Sequence, residues 1–155
     1  MKSSIFISIL QGVMIFSLLG VFTLLILPML PIKALHGPAR AASHVLDLNS
    51  SVSSEQRLAI NRAKKIIESS HGRDKIEFVL TGNGIPFLFD NSPYRDDIVD
   101  LIKEGVTFTA CENSIQKIFD QLRRNSTFID GVQFVADGNI YSEKLKESGY
   151  TDEFA

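Results

Sequence analysis

A chain of 155 residues, 45% hydrophobic and with a formal net charge of −2, is long enough for one compact domain with a further segment at one end. The first 41 residues hold three basic side chains, Lys2, Lys33 and Arg40, and no acidic one; of the 16 basic residues 13 remain to face 18 acidic ones, so the rest of the chain sits near −5. An acidic domain without a basic stripe argues against a nucleic-acid partner.

From Ile5 to Ile32 there are 28 residues without a charge. A secretory signal has a basic start, an apolar stretch of roughly 7–15 residues and a small-x-small cleavage site. Lys2 and Ala39-Arg40-Ala41 fit that pattern. The apolar run is longer than a signal needs, and a membrane-spanning helix needs roughly 20 such residues. A buried core helix is excluded by this length without interruption. Residues 1–41 therefore read as an N-terminal hydrophobic helix and linker, either a cleaved signal peptide or a retained anchor in the inner membrane. Either way the domain of residues 44–155 is expected to be periplasmic or exported.

His44-Val45-Leu46-Asp47-Leu48 suits a first strand, and Ser53 with Gln56 has the spacing of a capping box. Ala59, Ala63, Ile66 and Ile67 then give a helix one apolar face, which Gly72 ends. Lys75 to Thr81 is nearly all apolar, the pattern of a strand covered on both sides. Gly82-Asn83-Gly84 breaks it, and Ile85 to Phe89 starts a short helix. Ser92-Pro93 begins another, with Pro93 at its first position and Gly105 at its end. Val106 to Ala110 is the next strand, followed by a helix from Cys111 to about Arg124. Val132 to Val135 is expected to be the last strand, and Asp137-Gly138-Asn139 turns into a helix ending at Gly149. Alternating strands and helices imply an α/β fold with a mostly parallel sheet covered by helices.

Three polar, glycine- or asparagine-bearing loops fall at carboxyl ends of strands, where ligands sit in open α/β sheets. They are Gly82-Asn83-Gly84, Cys111-Glu112-Asn113 and Asp137-Gly138-Asn139. Cys111 is the single cysteine, so no internal disulfide is possible. At a helix N-terminus a thiol faces unpaired N–H groups that favour its thiolate. Glu112 opposes that effect unless it turns to solvent. The competing reading is a buried, inert cysteine. Gly82, Asn83 and Gly84 could cradle an anion or serve only a tight turn; Asn113 could orient a substrate or cap its helix. Phe87 stands where a dinucleotide fingerprint needs its third glycine. His36, His44 and His71 lack ligand spacing, so no metal and no cofactor are expected. Asp96, Asp97 and Asp100 read as a solvated helix face. Phe87, Phe89 and Tyr94 read as core packing or an oligomer contact.

Five motifs in order carry a resemblance: Val79-Leu80-Thr81-Gly82-Asn83-Gly84-Ile85, Asn91-Ser92-Pro93-Tyr94, residues 105–114 around Cys111, Gly131-Val132-Gln133-Phe134-Val135 and Glu147-Ser148-Gly149-Tyr150. From Val45 to Phe154 the chain resembles the DsrE/DsrF-like sulfur-relay family, which implies a flavodoxin-like α/β fold, a mostly parallel sheet with helices on both faces. The resemblance implies that Cys111 is the sulfur-accepting residue, a persulfide carrier working with a sulfur donor and an acceptor, in a homo-oligomer (trimer or hexamer). Two positions depart from the family pattern: Thr81 stands where relatives often have histidine, which removes an acid/base neighbour, and Asp130 replaces a common proline. The alternatives are a non-catalytic binding or assembly module, in which Cys111 is structural, and a thiol redox sensor.

Overall fold

The computed structural model describes residues 41–122 and 126–154. The hydrophobic N-terminal helix, its signal or anchor role and its join to the domain lie outside the described residues. So does the expected last turn of the helix that follows Cys111. Among the described residues, no helix is long and apolar enough to cross a membrane.

Strand β1 (Ser43–Leu48) leads into helix α1 (Ser53–Ser70), and β2 (Lys75–Leu80) into a 3₁₀ segment (Gly82–Leu88) and α2 (Arg95–Lys103). Strand β3 (Thr107–Cys111) runs directly into α3 (Glu112–Leu122). Then come β4 (Gln133–Val135), α4 (Gly138–Glu147) and β5 (Thr151–Asp152). All five strands are parallel, in the order β4-β3-β2-β1-β5. The α/β class and parallel sheet expected from the sequence are therefore present. In the common flavodoxin-like order the strand outside β1 is the second in the chain; here it is the last.

Strand periodicity divides the sheet into two unlike faces. Leu46, Leu48, Ile76, Phe78, Leu80, Phe108 and Ala110 point one way and form a single core with Ala59, Ile60 and Ala63 of α1, Ile98 and Leu101 of α2, and Ile118 of α3. Phe78 and Phe108 stack there at 4.6 Å. The opposite face carries Asp47, Glu77, Val79, Thr109 and Cys111, and α4 lies over it. Ser142 Oγ donates to Asp47 at 2.7 Å, and Lys146 Nζ pairs with the same carboxylate at 3.0 Å. Handedness explains the division. Strands β1 to β4 step across the sheet in one direction, whereas β4 to β5 steps back, so right-handed crossovers place α4 on the other side from α1, α2 and α3.

Several expectations need correction. Val132–Val135 is not the last strand, because Thr151–Asp152 pairs with β1. The capping box does not form: Val52 is the N-cap of α1 and no side chain caps it. His71, at φ 54°, precedes Gly72 in the left-handed region, and the Gly72 N–H closes the helix on Ile67 O at 2.9 Å. Pro93 lies before the helix, which begins at Arg95. The helix expected at Ile85 begins three residues earlier as a 3₁₀ turn containing both glycines. Asp97 is not a purely solvated charge, since it accepts from Lys64 Nζ and Arg57 Nη1, each at 2.7 Å. Of the two readings given to Phe87, Phe89 and Tyr94, core packing is the one present: 2%, 4% and 6% of their surface is exposed.

Candidate functional site

Cys111 is the last residue of β3 and immediately precedes α3, so the first-turn N–H groups of that helix lie beside its sulfur. The chain after β3 turns to one face of the sheet, and the chain after β4 turns to the other. Adjacent strands whose connections part in this way open a crevice at their carboxyl ends. Cys111 and the Ala136-Asp137-Gly138 loop meet in that crevice. The Cys111 thiol donates to Ala136 O at 3.8 Å, and the Asn113 N–H reaches the same carbonyl at 3.4 Å.

Gly138 permits this approach. A Cβ built there would lie 2.7 Å from Thr81 Cγ2, 3.0 Å from Cys111 Cβ and 3.5 Å from Val79 Cγ1. Asp137 fixes the loop as the N-cap of α4, accepting from the N–H groups of Asn139 at 3.0 Å and Ile140 at 3.2 Å. With no side chain at position 138, its N–H is also brought to the sulfur.

The thiol is buried, with 4% of the residue exposed. Burial pushes the Cys111 thiol up; the Ser114 hydroxyl and the N–H groups of Gly138, Ser114 and Asn113 outweigh it and leave the thiol below its ordinary range. None of the main contributors to this shift is a charged side chain. Glu112, which could have opposed the thiolate, is exposed. Ser114 links two of the loops. Its oxygen accepts from the Gly82 N–H at 2.9 Å, which leaves the hydroxyl proton free to turn toward the sulfur.

The other expected site residues divide. Gly82, at φ 47°, needs its glycine for the turn and reaches the thiol only through Ser114. Gly84 has a packing role: a Cβ there would collide with Leu48 O, so the backbone of the 3₁₀ segment rests on the end of β1, and its N–H is taken by Thr81 O at 2.9 Å. Asn83 is exposed at the loop tip. Asn113 is the second residue of α3 and contributes its backbone N–H. Sequence reasoning missed Ser114, Gly138 and Ala136 as parts of the site. Their signals were a serine three residues beyond the cysteine and a glycine in a flagged loop.

A groove of about 290 Å³ adjoins Ala136, lined also by Val135, Asp137, Ile140, Tyr141 and Lys144. Beneath α4, Thr109 Oγ1 donates to the buried Glu77 carboxylate at 2.9 Å. Burial and the bond to Glu77 push the Tyr141 hydroxyl up to about 12. These contacts pin α4, and with it Gly138, onto the sheet. Among the described residues no group of three or more metal-ligating side chains converges.

No family model matches the chain, and no curated protein matches it. Among solved structures it is similar to a protein of unknown function, MTH1491 from Methanobacterium thermoautotrophicum. The two share 21% identity with a TM-score of 0.64, over 72% of this chain and 96% of that one. That likeness concerns the fold.

Proposed function

We propose that this chain is a DsrE/DsrF-like sulfur carrier that holds sulfane sulfur on Cys111, as a relay component more than an enzyme with its own turnover. The observation that carries the reading is the convergence of uncharged donors on one thiol: the Ser114 hydroxyl and the N–H groups of Gly138, Ser114 and Asn113. In the proposed step the Cys111 thiolate attacks the terminal sulfur of a hydropolysulfide. A new S–S bond forms, the old one breaks, and a polysulfide shortened by one sulfur leaves with the bonding electron pair; the terminal proton stays on the new persulfide. A second thiol, on an acceptor protein or small molecule, then removes the outer sulfur. The protein is proposed to act as a homo-oligomer, a trimer or hexamer, on the outer side of the inner membrane, exported or held there by residues 1–41.

The test is intact-mass measurement of the full-length chain after incubation with polysulfide under native conditions. The expected result is an adduct of about 32 Da that Cys111→Ser abolishes. A wild-type chain that remains unmodified would refute the carrier. One observation favours a second reading, a non-catalytic binding or assembly module with a structural cysteine: the residue is only 4% exposed. That reading predicts the unmodified mass.

A further inference from the structure

A separate crevice of about 240 Å³ opens at the carboxyl end of β1, two strands from β3, where the loop into α1 meets the tail after β5. Asp47, Ser50 and Glu55 give it oxygen atoms, Leu48, Leu58 and Phe154 give it apolar walls, and no basic side chain lines it. Leu58 is 58% exposed and Phe154 42% exposed, so the fold leaves apolar surface uncovered where the crevice opens. Asp47 meets both its partners, Ser142 and Lys146, through Oδ2. Glu55 sits in the first turn of α1, with its carboxylate near the helix start.

We propose that this crevice binds a small organic cation, an alkylammonium or alkylguanidinium compound, with its charged head at Asp47 and Glu55 and its carbon chain against Leu48, Leu58 and Phe154. The chemistry of the walls selects this class. An anion meets the Glu55 carboxylate and, beside Asp47, the Lys146 ammonium, already shared among Asp47, Glu143 and Asp152. A neutral apolar molecule strips water from the Asp47 and Glu55 carboxylates without replacing its hydrogen bonds. A cation with a short carbon chain satisfies both halves. The volume lies below the span of about 300–1,000 Å³ usual for small-molecule pockets, which calls for a compact ligand.

The experiment titrates the full-length chain with agmatine, and with 1-pentanol as an uncharged control, following backbone amide resonances. Agmatine is expected to shift Asn49, Ser50 and Leu58 saturably. Glu55→Gln and Phe154→Ala, both on the surface, each weaken it about fivefold. Cys111→Ser binds as the wild type does, because the crevice is separate from the thiol. Absence of saturable binding, equal binding of pentanol, or full affinity in both variants would each overturn the proposal.

Discussion

Replacing Gly138 with alanine tests whether close packing at the β3–β4 crevice positions the thiol. An ordinary helical Gly→Ala exchange is stabilising by up to about 1 kcal/mol. Here the new methyl would stand 2.7 Å from Thr81 Cγ2 and 3.0 Å from Cys111 Cβ, and overpacking of that kind costs about 1–3 kcal/mol. Gly138 is the first residue of α4, where helix propensity matters least, so the clash wins by about 1–2 kcal/mol. Thr81→Ser deletes the contacting methyl at 2.7 Å. In the double variant most of the loss should return, giving a coupling of about 1 kcal/mol between two positions with no polar interaction. Urea unfolding of the four proteins supplies the cycle, and Cys111 alkylation rates at neutral pH show whether moving the Gly138 N–H slows the thiol. A Gly138→Ala protein as stable as the wild type, or strictly additive effects with Thr81→Ser, would refute the packing argument.

Ser114→Ala removes a donor from the sulfur and the acceptor of the Gly82 N–H. It should slow Cys111 alkylation at neutral pH about tenfold and move the pH–rate curve to higher pH, since a hydrogen bond to a charged group is worth about 1.5 kcal/mol. Gly84→Ala should cost more than Gly138→Ala, about 3 kcal/mol by urea unfolding, because its neighbour is the Leu48 carbonyl and no side chain can give way. Asp97 and Glu153 are two of the contributors to the acid limb of stability. The Lys64 ammonium, joined by the Arg57 guanidinium, holds Asp97 below its usual range against the effect of burial. Burial pushes Glu153 up, but His44 and Arg62 outweigh it and hold it below its usual range. Both carboxylates are depressed on folding, so their contribution is complete above the unfolded values, about 3.9 for Asp and 4.3 for Glu, and is lost as pH falls through the folded ones. Asp97→Asn and Glu153→Gln should therefore lower stability at neutral pH by up to about 1 kcal/mol each and flatten its fall in acid, read as unfolding midpoints against pH.

Elements that bury a continuous apolar face were legible in the sequence, and those made by tertiary demand were not. The run Ile76 to Leu80 announces a central strand even though Glu77 interrupts it, because Thr109 and Tyr141 satisfy that carboxylate from other elements. Thr151–Asp152 carries no apolar pattern; it is a strand because the exposed edge of β1 takes it up at His44 and Val45. Missing that strand hid the strand order, and without the order the β3–β4 crevice could not be singled out from three equivalent loops. The Ser53 and Gln56 spacing was misleading because the chain enters α1 through Val52, whose N–H is taken by Ser50 Oγ at 3.1 Å. At the site itself, Cys111 could be read from its place between a strand and a helix. Ser114 and Gly138 could not, since their roles depend on contacts with Gly82 and Thr81, 32 and 57 positions away.

The kind of stabilisation around Cys111 bears on what a sulfur held there could do. A thiol activated by histidine gains a partner that titrates near neutrality and can move protons during reaction. The groups here are a hydroxyl and three backbone N–H groups, none of which ionises in that range, and Thr81 offers only a methyl beside Gly138. Such donors stabilise negative charge on sulfur without exchanging protons with it. Under the proposed carrier reading, loading should follow a single ionisation on the protein, that of Cys111, and unloading should follow the thiolate fraction and nucleophilicity of the incoming thiol. With iodoacetamide, a reagent that does not itself titrate in this range, the rate of Cys111 modification against pH should then rise through one step to a plateau. A bell-shaped profile with that reagent would require a second titrating group on the protein and would contradict an acceptor built from fixed dipoles.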